Sequence, residues 1–221
     1  GDFGGLSGES SRPLIINEGL LMKSFDPSHC TDREDWFEWI RRLGIELLRE
    51  SPSAALRSCA SLSNIYYPLG KELFNAALAS CLNDLSNECH GESISAIEMA
   101  LGSPFIPSEV AQQLLNAAEF LERQERPLPI GLHVLGSQAG RSHAYAKALY
   151  YKELEFTAAL RSGEAPSSVV IEALISINNQ VQQPDAALGI LVHANRAHGI
   201  VLKESWYEKL QRWDEALKAY E

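Results

Sequence analysis

Apolar residues in this 221-residue chain recur at three- and four-residue steps from position 31 almost to the last residue. That period puts them on one stripe of an α-helix, and no useful length shows the two-residue alternation of a half-buried strand. Caps and breakers divide the pattern. Thr31-Asp32-Arg33-Glu34 has the form of a capping box, in which a hydroxyl and a carboxylate each satisfy an orphan backbone N–H. Trp36, Trp39, Ile40, Leu43 and Leu47 follow on one stripe. Ser51-Pro52 ends that helix and starts a second, marked by Leu56, Cys59 and Leu62, since proline is tolerated in a first turn. Pro68 opens a third, with Leu69, Leu73, Ala77, Cys81 and Leu85 on a stripe widened by Phe74, Leu78 and Leu82. A stripe that wide suits a helix covered on more than one side. Ile94, Ile97 and Leu101 mark a fourth helix, and Pro107 opens a fifth carrying Val110, Leu114, Ala117, Ala118 and Leu121.

Pro127, Pro129, Gly131 and Gly136 form the best internal boundary. Beyond it, 138–156 reads as one helix. Further helices follow around Val170 and Leu174, after Pro184, around Trp206 and Leu210, and from Trp213 to the end. The fold class expected is all-α: a helical-repeat solenoid of antiparallel helix pairs, HEAT-like and then tetratricopeptide-like. Residues 1–30 read as a flexible linker or tail and 31–126 as HEAT-like pairs. A Pro/Gly linker spans 127–136, and tetratricopeptide-like repeats span 137–221. Within the tail, Leu14-Ile15-Ile16 and Leu20-Leu21-Met22 suit a docking patch or a brief helix.

Composition removes whole classes. Hydrophobic residues make up 45% and charged residues 22%, which a soluble globular chain needs and a wholly disordered one lacks. The net charge of −10 argues against nucleic-acid binding, which rests on a basic stripe facing phosphates. A membrane span needs about 18 or more consecutive apolar residues, and the longest uncharged runs, 58–70 and 127–140, are shorter and carry polar side chains. Four cysteines are too few for a disulfide scaffold at this length, so a reduced, cytoplasmic setting is expected. The missing initial Met, and an amphipathic pattern still running at Glu221, suggest a piece of a longer polypeptide.

The repeat signal lies in small residues. Ala148-Leu149, Ala187-Leu188 and Ala216-Leu217 are spaced 39 and 29 residues apart, around the ~34-residue tetratricopeptide period. Trp206, Leu210, Trp213 and Ala216 resemble the turn between the two helices of such a repeat, with a small residue at a close crossing and aromatics in the adjoining holes. Ala148, Ala187, Trp206, Leu210, Trp213 and Ala216 are therefore the expected repeat positions.

Candidate chemistry is sparse. Asp2-Phe3-Gly4 spells the kinase metal-binding tripeptide but lacks the upstream Gly-rich loop, strand Lys and catalytic His-Arg-Asp that give it meaning. Cys81, Cys89 and His90 are too widely spaced for a zinc site and lack a fourth ligand. No catalytic, cofactor-binding or metal-binding residue is assigned. The stretch 84–125 is strongly acidic, which suits the solvated exterior of helices or a docking face for a basic partner, with Glu109, Glu119 and Glu122 as the candidate interaction face. Trp36 and Trp39 share a helical face that suits core packing better than an exposed hot spot.

Several blocks carry a family resemblance. They are Asp35-Trp36-Phe37-Glu38-Trp39-Ile40-Arg41-Arg42, Ala144-Tyr145-Ala146-Lys147-Ala148-Leu149-Tyr150-Tyr151-Lys152-Glu153-Leu154-Glu155-Phe156, Glu172-Ala173-Leu174-Ile175-Ser176-Ile177-Asn178-Asn179-Gln180, and Trp206-Tyr207-Glu208-Lys209-Leu210-Gln211-Arg212-Trp213-Asp214-Glu215-Ala216-Leu217. Over about 32–221 the chain resembles the target-of-rapamycin serine/threonine protein kinases, and Arg12-Pro13-Leu14-Ile15-Ile16-Asn17 resembles their plant branch. The resemblance implies the end of a HEAT solenoid and the start of a FAT domain. It implies a parent kinase that controls growth in response to nutrients, is cytoplasmic with endomembrane or nuclear pools, and assembles with adaptor subunits. ATP and Mg would be bound by a kinase domain C-terminal to this stretch, so no family catalytic residue falls on any position here. The alternative is a free-standing tetratricopeptide or HEAT-type adaptor. A small helical enzyme is the third class, and it needs convergent titratable groups in a pocket.

Overall fold

The computed structural model describes residues 16–198 and, beyond them, Trp206, Tyr207 and Leu217. Among the described residues the chain is all-α, with ten helices. They are α1 (Glu18–Phe25), α2 (Arg33–Glu50), α3 (Ala54–Ile65), α4 (Tyr67–Asp84), α5 (Asn87–Gly102), α6 (Ser108–Arg123), α7 (Leu132–Arg141), α8 (Tyr145–Ser162), α9 (Ser168–Gln180) and α10 (Pro184–His198). From α1 to α4 and from α7 to α10 each helix packs beside the next, the helical counterpart of a hairpin. The chain divides into two compact units, 1–106 with 116–128 and 107–115 with 129–221.

In the first unit, α2 is the centre. Trp36, Trp39, Ile40, Leu43, Leu47 and Leu48 are buried, which makes the tryptophan pair core rather than surface. The two indoles meet edge to face with centroids 5.6 Å apart, a favoured aromatic geometry. Helix α4 crosses α2 closely: a Cβ at Gly44 would stand 3.4 Å from the Phe74 ring, and the Cys81 thiol donates to the Leu47 carbonyl at 3.3 Å. Arg57 closes the α2–α3 turn by donating to the Ser51 and Pro52 carbonyls at 2.6 and 2.8 Å.

Three expected features change. The capping box sits one residue later: Asp32 accepts from the Asp35 backbone N–H at 2.9 Å, and Asp35 accepts from the N–H groups of Asp32 and Thr31. The tail assigned to 1–30 contains α1, whose Leu21 and Phe25 are buried. Trp39 Nε1 donates to the Phe25 carbonyl at 3.3 Å, and the Asn17 N–H donates to Glu50 at 2.9 Å. A helix of eight residues is marginal alone, and this one stands because it is docked. On α3, Leu62 is exposed while Ala60 and Ser63 are buried. Small residues face α4 there, and a Cβ on Gly70 would lie 3.4 Å from Ser63.

In the second unit, α7 packs on α8, α8 on α9 and α9 on α10. The linker assigned to 127–136 is shorter than expected, because α7 starts at Leu132. The single helix expected over 138–156 is two, α7 and α8, parted at Ser142-His143-Ala144. His143 turns the chain with φ 58°. At Gly136 the two helices nearly touch: a Cβ there would stand 3.2 Å from Lys152 Cε and 3.4 Å from Tyr151 Cβ. Lys152 is buried and reaches Glu155 at 2.7 Å.

Candidate protein-interaction surface

The repeat positions that fall among the described residues are all interior. Ala148 on α8 and Ala187 on α10 are fully buried. Ala187 joins Ile171, Ile175, Leu191, Ala194 and Trp206 in one core cluster, with Phe156 and Tyr207 packed against it. The structure thus brings Ala187 and Trp206 together, while Ala148 packs elsewhere in the same unit. Leu210, Trp213 and Ala216 lie outside the described residues, as does Asp2-Phe3-Gly4.

Glu109, Glu119 and Glu122 all lie on α6. Glu109 belongs to the stretch grouped with the second unit, and the other two to the stretch grouped with the first. Glu119 pairs with Arg123 one turn on, and Glu109 accepts from the Ser108 hydroxyl at 3.3 Å. Helix α6 buries Val110, Leu114, Ala117 and Leu121 on its other side, so these acids belong to the polar face of an amphipathic helix.

Among the described residues no group of three or more His, Cys, Asp or Glu could hold a metal ion. The Cys81 thiol is pushed up to about 12, mainly by burial, with Glu50 and Asp84 adding to it. Such a thiol is a small core hydrophobe rather than a nucleophile. Glu18 is held below the usual carboxylate range by the Ser86 backbone N–H, with the Cys89 thiol and Ser86 hydroxyl also donating to it. It ties the start of α1 to the start of α5.

Two apolar surfaces were not legible beforehand. At the α3–α4 turn Leu62, Ile65 and Tyr66 are exposed, Ile65 at 85%. Between α1 and α5 lies an open groove of about 470 Å³, lined by Met22, Phe25, Met99, Asp26, Glu88 and Glu92 among others. Its signal in the sequence is that Met22 and Met99 are the chain's only two methionines. Nothing local says that residues 77 positions apart share a wall.

Packed helix pairs with small residues at the crossings define the class: an all-α, helical-repeat segment. No family model matches the chain. Curated relatives do. It is 52% identical to the serine/threonine-protein kinase TOR2 of Saccharomyces cerevisiae over 94% of its own length, and 48% identical to the serine/threonine-protein kinase TOR of Arabidopsis thaliana over 93%. It is 45% identical to the tor1 kinase of Schizosaccharomyces pombe over 94%. The chain is therefore a segment of target-of-rapamycin kinase type, and it spans only about 8% of the length of the first two relatives. The plant relative is consistent with the plant-type resemblance, and two fungal relatives stand beside it, one of them at higher identity.

Proposed function

We propose that the chain is a non-catalytic scaffold segment of a target-of-rapamycin-type serine/threonine protein kinase. Its helices support the parent's kinase domain and present surfaces to adaptor subunits. The parent acts in the cytoplasm to couple growth to nutrients and uses ATP and Mg in a domain outside this segment. The observation that carries the reading is the 52% identity over nearly the whole chain, joined to a described interior made of packing side chains. Ala148 and Ala187, with Trp206 and by extension Leu210, Trp213 and Ala216, serve as repeat-packing positions. Glu109, Glu119 and Glu122 serve as an acidic face for basic partners. The segment corresponds to the end of HEAT-like pairs over 31–126 and the start of a FAT-type region after them.

The test uses the full-length parent. Ala187→Leu should lower both kinase activity and recovery of co-purifying subunits, whereas Ala186→Leu on the exposed side of α10 should change neither. The isolated chain should bind no MgATP by calorimetry. Unchanged activity and subunit recovery in Ala187→Leu, or ATP turnover by the chain itself, would overturn the reading.

A further inference from the structure

We infer that the groove between α1 and α5 receives a basic amphipathic helix of a partner protein. The inference rests on the scaffold reading and names the chemistry of one of its partners.

The groove has an apolar floor and an acidic border. Met22 and Phe25 of α1 face α5, and Met99 of α5 is 60% exposed at the groove's edge. Flexible thioethers suit a surface that moulds to inserted aliphatic side chains. Glu18 bonds to Ser86 and Cys89, and Ser93 Oγ lies 3.6 Å from Met22 Sδ. Helix α1 therefore runs alongside α5 in the same direction. Asp26 comes to the C-terminal end of α5, and Glu88 and Glu92 stand at its N-terminal end. Acids border both ends of the floor, and none of the residues lining the groove is basic. Asp26 already accepts from the Ser28 N–H and hydroxyl at 2.9 Å each, and His29 Nε2 stands 4.0 Å from it; a carboxylate has lone pairs left for a further donor.

The dimensions fit a helix. Glu88, Glu92, Ser95 and Met99 follow one face of α5 over about 16 Å, at 1.5 Å per residue. That is about three turns, the span over which a helix lays anchors into a groove at three- and four-residue spacing. Gly91 opens the wall: a Cβ there would meet no atom within 4 Å. An acidic or purely apolar helix would meet repulsion or leave the carboxylates desolvated without a counter-charge. The complement is lysine or arginine flanking an aliphatic stripe.

The probe is a fluorescein-labelled Leu/Lys amphipathic helix of about 18 residues, long enough to span the groove. Its controls are a Leu/Glu helix of the same pattern and a scrambled Leu/Lys peptide. Anisotropy titration of the whole chain should show saturable binding of the Leu/Lys helix alone, weakening from about 0.05 to about 0.3 M salt as screening grows. Gly91→Leu adds side chain into open space on a helix, where leucine also has the better propensity. It should keep the melting temperature and weaken binding by about tenfold or more, as loss of a central anchor pocket does. Met99→Glu, at an exposed site, should weaken binding likewise. Glu88→Gln with Glu92→Gln should weaken it and flatten the salt dependence. Glu72→Gln with Glu164→Gln, which removes the same charge from exposed sites outside the groove, should not. Wild-type affinity in Gly91→Leu and Met99→Glu, equal loss in the Glu72/Glu164 pair, or binding of the Leu/Glu helix would overturn the inference. A failure here with subunit loss in Ala187→Leu intact strikes the groove alone, and unchanged subunit recovery in Ala187→Leu strikes the scaffold reading.

Discussion

Ala187 shows how one small side chain sets a helix crossing. It has no solvent exposure and is enclosed by Ile171, Ile175, Leu191 and Trp206. Interiors are packed to crystal-like density, so three added carbons have nowhere to go. Ala187→Leu should cost ~1–3 kcal/mol through overpacking. Ala186→Leu, one residue away and exposed, should stay within about 0.5 kcal/mol. Urea midpoints of the two variants make the check, and equal midpoints would remove Ala187 from the crossing. The repeat position was legible because an Ala-Leu pair after Pro184 is a local pattern. Ala216, the same kind of position, lies outside the described residues.

At the scale of the element, helix ends decide the architecture. Helices α6, α7, α8 and α9 stop in the same way. A residue in the left-handed region follows each: Glu125 (φ 61°), His143 (φ 58°), Gly163 (φ 76°) and Gln182 (φ 59°). The next backbone N–H then bonds five residues back, Arg126 to Leu121, Ala144 to Ala139, Glu164 to Ala159 and Gln183 to Asn178, at 2.8–3.0 Å. This is the Schellman closure, which satisfies orphan carbonyls. Only one of the four uses glycine. Because nothing surrounds the missing Cβ of Gly163 within 4 Å, Gly163→Val should cost about 1–2 kcal/mol through backbone conformation alone. Gln182→Gly should gain up to about 1 kcal/mol by relieving the same strain. Thermal unfolding of both variants tests the pair, and opposite signs are the expected outcome. The merged helix over 138–156 has the same cause: His143 carries no breaker signal, so the turn is invisible without its hydrogen bonds.

For the molecule as a whole, the relevant force is its acidity. Hydrogen bonds hold three carboxylates below their ordinary range: Glu18 through the Ser86 N–H, Asp26 through the Ser28 N–H, and Asp35 through the Thr31 N–H. In the window between the unfolded and the lowered folded values, the unfolded chain binds more protons, so stability rises with pH there. The contribution is complete above the unfolded carboxylate range near pH ~4 and is lost as pH falls through the lowered values. Melting temperature should therefore fall as pH drops below about 4. Glu18→Gln with Asp35→Asn should flatten that drop, and an unchanged slope would show that these hydrogen bonds do not couple to folding. The net charge of −10 adds self-repulsion between the remaining acids at neutral pH.

By itself the sequence determined what depends on neighbours a few residues apart. Helical period marked α2, α4, α6 and α9, proline marked the start of α10, and the lack of alternation settled the all-α class. The shared blocks pointed to the family. What the tertiary structure decided were the features made by distant residues or by backbone conformation. Helix α1 exists because Trp39 and Glu50 receive it. Helix α4 is buried both against Gly44 and Leu47 of α2 and against Ser63 of α3. Helix ends at His143 and Gln182 depend on backbone hydrogen bonds made without a glycine to mark them. The α1–α5 groove needs two methionines brought together from separate helices. Periodicity is a property of one helix, whereas docking, crossing and groove formation are properties of pairs, and single-chain patterns do not encode which pair will meet.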